Sequence, residues 1–301
     1  MKIIKKIFSV FIIRPLDFVH KYFKTFVFLF IVILVFSFSS NTSDLDSNLA
    51  KLYIKGPIFE SETFSNQINA LKQYPNIKGV LLVIDSPGGT LSSSVEIADM
   101  VRELNNKIPV VAYVQGTMAS GSFYAGMYAN TIVANRGAAI GSIGVILNGF
   151  NLQDLMQKIG IKSQGLSAGE FKEAGTIVRE WSDKEREYLK DLINKQYMMF
   201  VNDVSVARGI DKNNYKNFAE GKIFNAYDAK DLGLIDLVGT RNQAVNILQQ
   251  LSHVKDIKWM QQNRFNTYMD KFINSSVNAV FDRLGANANL VLSLVKLNNE
   301  A

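Results

Sequence analysis

Nineteen consecutive residues, Thr25 to Ser43, carry no charge, and eleven of them in an unbroken run, Phe26 to Phe36, are large and apolar. A helix lying on a protein surface keeps a polar face, and this run leaves none. Rising 1.5 Å per residue, the stretch would extend about 28 Å, close to the roughly 30 Å hydrocarbon core of a bilayer. Lys2, Lys5, Lys6, Arg14, Lys21 and Lys24 precede it, and Asp44 and Asp46 follow it. That asymmetry predicts one transmembrane helix over 25–43, with residues 1–24 as a basic cytoplasmic N-terminus and the chain after about residue 44 outside. A cleaved signal peptide, with Ser37-Phe38-Ser39 as its small-x-small site, is the competing reading. The 24 residues before the run, with their own apolar stretch Ile3 to Ile13, are long for a signal peptide and favour a retained anchor. No second run of this kind occurs, so the chain is expected to cross the membrane once.

The charge balance then reads differently. The 301 residues carry a net charge of +6, but residues 1–24 alone account for +5. The rest is nearly neutral, without the basic footprint that a phosphate backbone requires, so no nucleic-acid partner is expected. Cysteine is absent. That excludes disulfides, a thiolate metal site and a cysteine nucleophile.

After a polar linker at 41–48, strand-like and helix-like patterns alternate. Leu52-Tyr53-Ile54 reads as a short strand. Gly79 to Ile84 is a continuous apolar run, as a strand covered on both faces should be. Its turn, Asp85-Ser86-Pro87-Gly88-Gly89, leads to a helix from about Ser92 to Asn105. The strand Val110–Val114, a helix from about Ser120 to Ala129 and the strand Thr131–Val133 follow. Repeated strand-turn-helix order predicts an α/β fold of parallel strands joined by right-handed crossover helices. Ser182-Asp183-Lys184-Glu185 is a capping box opening a long helix that Gly209 closes, with Leu189, Leu192, Ile193, Tyr197, Phe200, Val201 and Val204 near one face. Farther on, Phe265, Tyr268, Met269, Phe272, Ile273, Val280, Phe281 and Leu284 suggest one more amphipathic helix, packed on the body or serving assembly or a membrane surface.

Histidine is scarce: only His20 and His253 occur. His20 lies before the apolar run and His253 beside no glycine-rich turn, so a histidine triad and a histidine zinc site are not expected. Any acyl-transfer base must be a lysine or a carboxylate. The best nucleophile candidate is Ser120, in Gly116-Thr117-Met118-Ala119-Ser120-Gly121-Ser122, where a buried strand turns into a helix with free N–H groups. A serine there is also an ordinary N-cap. The turns Ser86–Gly89 and Ala139–Val145 are two further glycine-rich candidates, each able to line a cleft or simply to turn.

Five ordered motifs sharpen this. Asp85-Ser86-Pro87-Gly88-Gly89, Met118-Ala119-Ser120-Gly121, Ile140-Gly141-Ser142-Ile143-Gly144-Val145, Gly169-Glu170-Phe171-Lys172-Glu173-Ala174-Gly175 and the stretch Gly221 to Asp236 resemble the bacterial signal peptide peptidase A family of membrane-anchored serine proteases. The likeness covers about residues 50–250. It implies a ClpP/crotonase-like fold and a peptidase domain over 44–250, and residues 251–301 beyond it read as a C-terminal helical extension. By the same resemblance Ser120 is the nucleophile and Lys172 the general base of a Ser–Lys dyad. No cofactor or metal is implied. The arrangement is similar to the short form of the family, in which half-size subunits assemble as a homo-oligomeric ring and the dyad can be completed across a subunit boundary. A bacterial inner-membrane location and peptide substrates, such as signal peptide remnants, are implied with it.

To accept a proton Lys172 must be neutral, and at an unperturbed pKa near 10.4 only about one lysine in 2,500 is neutral at pH 7. Burial or a neighbouring cation must lower it, so Glu170 and Glu173 are expected to face solvent. Gly89 and Gly121 are the oxyanion-hole candidates, and Ser122 could support Lys172 or merely line the turn. Two other readings are carried: a crotonase-like enzyme acting on coenzyme A thioesters, and a non-catalytic membrane-anchored scaffold.

Overall fold

The computed structural model describes residues 21–38 and 46–261. They belong to two compact units, residues 1–46 with 261–301, and Ser47–Met260. In the first, the 16-residue helix α1 runs Phe23–Phe38, entering the predicted apolar segment at Thr25. The rest of that segment lies outside the described residues, as do residues 1–20 and the predicted amphipathic helix over 265–284. Among the described residues no helix is long and apolar enough to cross a membrane.

The second unit is an α/β layer structure. Strands β1 (Leu49–Lys55), β2 (Gly79–Ser86), β3 (Val110–Ala119) and β4 (Thr131–Ala134) run parallel, and β7 (Leu237–Val238) adds to β4. The crossovers carry α2 (Glu62–Leu71), α3 (Leu91–Asn105) and α4 (Gly121–Gly126). A short β5 (Ala139–Gly141) pairs with the end of β3, and β6 (Ile223–Asn225) lies antiparallel on β5. The seven-stranded sheet is therefore mixed at one corner only.

Both faces of β2 are covered, which is why its sequence does not alternate. Val80, Leu82 and Ile84 join the larger core with Phe64, Ile97, Val101 and Phe123. Leu81 and Val83 join a second core with Val111, Val133 and the helix Arg241–Leu251, through Ala244 and Leu248. Both sets are fully buried in the strand. At about 1.5–3 kcal/mol for each large side chain removed from water, β2 is a major anchor of the domain.

The long helix α6 (Asp183–Arg208) has both predicted ends: a Ser182/Glu185 capping box and Gly209 in the left-handed region at φ 63°. Its predicted apolar face is used unevenly. Phe200, Val201 and Val204, all in its second half, enter the main core, where Phe200 packs on Tyr124, whereas Leu192 is 40% exposed. The late motif ending in Asp236 is structural: that carboxylate accepts the Ile132 N–H of β4 at 2.7 Å and pairs with Arg208 at 2.6 Å. Between β5 and α6, residues 142–182 form a long segment with one short helix, α5 (Gln153–Lys158). Ile146, Phe150, Leu155, Ile159, Ile161 and Leu166 stand exposed along it.

Candidate active site

The site is built where β2 and β3 end. Pairing jumps from Ile84↔Val114 to Ser86↔Met118, so β3 spends four residues where β2 spends two. This bulge is stitched by Asp85, whose Oδ1 accepts the Thr117 N–H at 3.0 Å. Gly116 makes room for it, since a β-carbon there would stand 2.5 Å from the same oxygen. A bulge re-aims the strand that carries it. The redirected residues Thr117–Ala119 pair with β5, and the Ser120 N–H continues that ladder to the Gly141 carbonyl at 2.7 Å.

Ser120 then sits at φ 52°, ψ −125°, a conformation that side-chain-bearing residues rarely adopt. Such strain costs on the order of 1–3 kcal/mol and persists only where the surroundings over-determine it. Here they do. The buried Ser122 hydroxyl accepts the Ala119 N–H at 2.8 Å and lies 2.6 Å from the Ser86 carbonyl and 2.9 Å from that of Ala119. The following helix α4 is buried throughout. Its Tyr124 packs on Phe200 with ring centroids 4.6 Å apart and donates its hydroxyl proton to Asp203 of α6. Burial first, and the Asp203 carboxylate beside it, push that phenol far above its ordinary pKa, so it stays a donor. The outcome is a sharp strand-to-helix turn that leaves a half-buried serine at its apex.

The two predicted oxyanion-hole amides meet at this turn. A β-carbon on Gly88 would stand 2.5 Å from the Gly121 nitrogen and 2.9 Å from the Ser120 Cβ, so the β2 turn presses directly against Ser120. One on Gly121 would lie 3.0 Å from the Gly89 nitrogen. Neither the Gly89 nor the Gly121 N–H has an acceptor among the described residues. Two free donors beside one hydroxyl form a cradle for a developing negative charge.

Lys172 is elsewhere in the protomer's contact network. It lies in an exposed turn, its N–H bonded to the Gly169 carbonyl at 3.1 Å, and no hydrogen bond links it to Ser120 or Ser122. Glu170 and Glu173 are both exposed; Glu170 pairs with Lys184 at 2.9 Å and Glu173 with Arg179 at 3.4 Å. Phe171 stacks on Tyr188 at 4.7 Å. Sequence reasoning placed Asp85 in a motif but gave it no role, although a glycine interrupting a strand pattern, as Gly116 does, is the signal of a bulge. It missed Arg179, which no motif marks. Among the described residues no cluster of His, Cys, Asp or Glu could hold a metal ion.

A strained serine between a parallel strand and a buried helix, beside two amides without acceptors, is an arrangement that serine-hydrolase chemistry can use, on a ClpP-like α/β scaffold. The sequence narrows the class: residues 102–255 match peptidase family S49 and residues 49–136 match the Clp protease family. A protein of Methanocaldococcus jannaschii, whose name marks it as a protease candidate, is 36% identical over 242 residues, 75% of this chain and 78% of its own. The chloroplastic serine protease SPPA of Arabidopsis thaliana is 29% identical over 208 residues, 67% of this chain and 31% of its own. Among solved structures, a variant of the membrane-bound stomatin-specific protease 1510-N aligns with TM-score 0.48 and 17% identity, covering 72% of this chain and 98% of that one. The chain belongs to peptidase family S49 and is of its SppA type. It is a serine peptidase.

Proposed function

We propose that the protein is a membrane-anchored endopeptidase in which Ser120 is the nucleophile and Lys172 the general base. One observation carries the reading: Ser120 is held at φ 52° beside the free amides of Gly89 and Gly121. In the acylation step Ser120 Oγ bonds to the scissile carbonyl carbon while its proton passes to neutral Lys172 Nζ. The carbonyl oxygen gains the negative charge and accepts from the two amides. Collapse breaks the C–N bond, and the leaving amine takes the proton back from Lys172. Water then repeats the sequence on the acyl-enzyme, releasing the acid and restoring Ser120.

The dyad is completed between copies of the chain. Lys172 is exposed in the protomer, on a segment that also exposes Ile146, Phe150 and Leu166. Contiguous apolar exposure of this kind marks an association surface, and a ring of copies would both cover it and dry the lysine. Desolvation of an ammonium lowers its pKa, as a general base near neutral pH requires. The uncharged run 25–43 supports an anchor in the inner membrane with the body outside the cytoplasm. The small residues around Ser120 favour small or apolar side chains beside the scissile bond, as in signal peptide remnants. Membership in a peptidase family leaves the thioester reading without support.

The test is covalent labelling of the purified full-length chain by a fluorophosphonate. Wild type should label, and Ser120→Ala and Lys172→Ala should each abolish labelling with the fold retained. Labelling that persists in Ser120→Ala overturns the nucleophile, and persistence in Lys172→Ala overturns the base.

A further inference from the structure

Lys172 has a carboxylate on each side in sequence, and both are already engaged. Glu170 pairs with Lys184 in the first turn of α6 at 2.9 Å. Glu173 pairs with Arg179 Nη2 at 3.4 Å. The same guanidinium grips Glu185 with both arms, Nη1 to Oε2 at 2.9 Å and Nη2 to Oε1 at 2.8 Å. Glu185 is not a casual partner. It is buried and closes the capping box, accepting the Ser182 N–H at 2.8 Å while its own N–H reaches Ser182 Oγ at 3.3 Å. Arg179 therefore joins the turn that carries Lys172 to the fixed start of a 26-residue helix. Stacking of Phe171 on Tyr188 adds a second attachment one residue from the lysine.

The charged groups on and around this turn are Glu170 and Glu173 on the turn itself, Arg179 and Glu180 on the segment after it, and Asp183, Lys184, Glu185 and Arg186 opening α6. Glu180 is paired with Arg186 at 2.8 Å. The carboxylates that flank Lys172 are thus each paired with a cation, Glu170 with Lys184 and Glu173 with the Arg179 it shares with Glu185. A lysine beside a free carboxylate gains an incentive to stay protonated, which a general base cannot tolerate.

We propose that Arg179 is a positioning residue for the general base: it holds Glu173 against Glu185, fixing the Lys172 turn on α6 and keeping that carboxylate from pairing with the lysine. The inference rests on the reading of Lys172 as the base. Lys184 does the same for Glu170, more weakly, because both side chains of that pair are largely in solvent. The bidentate grip explains why the residue is an arginine, since a lysine cannot hold two carboxylates in one plane.

The experiment follows the second-order rate of fluorophosphonate labelling of Ser120 against pH in the full-length chain, with thermal unfolding and oligomer size as controls. In Arg179→Gln the acid limb of the profile should move alkaline by about one pH unit, about tenfold slower labelling on the limb, with the high-pH plateau kept. Adding Glu173→Gln to that variant should return the limb toward wild type, and Arg179→Lys should fall between. Lys184→Gln, which disturbs no buried group, should move the limb the same way by less. A limb that stays in place in both Arg179→Gln and Lys184→Gln, while Lys172→Ala is dead, overturns the inference and leaves the base assignment standing. So does a lowered plateau that Glu173→Gln does not rescue, the mark of a purely structural role. Wild-type labelling in Lys172→Ala instead removes the base assignment, and the inference with it.

Discussion

A dyad shared between neighbours makes a quantitative demand on mixtures. Ser120→Ala chains lack the nucleophile but keep Lys172; Lys172→Ala chains lack the base but keep Ser120. If each site takes its serine from one copy and its lysine from the next, an equal, randomly mixed ring has an intact serine at half its sites and an intact neighbouring lysine at half of those. About a quarter of the sites should be whole in a closed ring of identical contacts, whatever the subunit number. If both groups come from one chain, no site is whole at any mixing ratio. The motivation is that Lys172 is exposed in the protomer and makes no hydrogen bond to Ser120 or Ser122, while the surrounding segment exposes apolar side chains. The assay is co-expression of the two differently tagged variants, tandem purification of mixed assemblies, and fluorophosphonate labelling scored by tag. Label should appear only on the Lys172→Ala chains, at about a quarter of the wild-type level per total chain. Mixed assemblies that stay at the background of the separate variants would refute the shared dyad.

Two further outcomes follow from the site's supports. Ser122→Ala strips the buried Ala119 N–H of its acceptor, so stability should fall by about 1–3 kcal/mol and labelling should slow as the strained turn relaxes, read by chemical denaturation and by labelling rate. The Glu185 carboxyl is held at about 2 by the Arg179 hydrogen bonds first and the Ser182 N–H next, below its ordinary 4.5. Its folded-state value is depressed, so its contribution to stability is present above about pH 4.5 and is lost as pH falls toward 2. Stability against pH should show that acid limb, and Glu185→Gln should flatten it.

The scaffold was legible wherever one residue pattern had one physical meaning. The apolar run Gly79–Ile84 could only be a strand covered on both faces, and Leu82 and Leu81 do enter two different cores. The Ser182 capping box and Gly209 fixed both ends of α6. Strands of two or three residues, β5, β6 and β7, carry no period to detect, and their pairing comes from partners far away in sequence. The α6 stripe misled at Leu192 because periodicity reports which face is apolar, not how much of the helix has something to lie on. At the site, Ser120 and the two glycine turns were visible as strand-end loops of small residues. Its positive φ and the Asp85 stitch were not, since both arise from the β3 bulge, a property of pairing between two strands.

In the proposed mechanism, histidine-free chemistry and assembly belong together. A histidine base titrates near neutrality in water, so a protomer carrying one could be competent alone. A lysine base needs desolvation first: an exposed ammonium at the usual lysine pKa offers about one neutral amine in 2,500 at pH 7. Lowering that pKa by about three units costs about 4 kcal/mol, since each unit is worth about 1.4 kcal/mol. Lys172 lies on a solvent-exposed turn. In the proposed ring, burial against a neighbour would supply the desolvation, and the apolar side chains at 146–166 would drive that burial. The proposed subunit contact therefore works as the pKa-setting element: the serine turn is preformed within the fold, and the base becomes usable only on assembly.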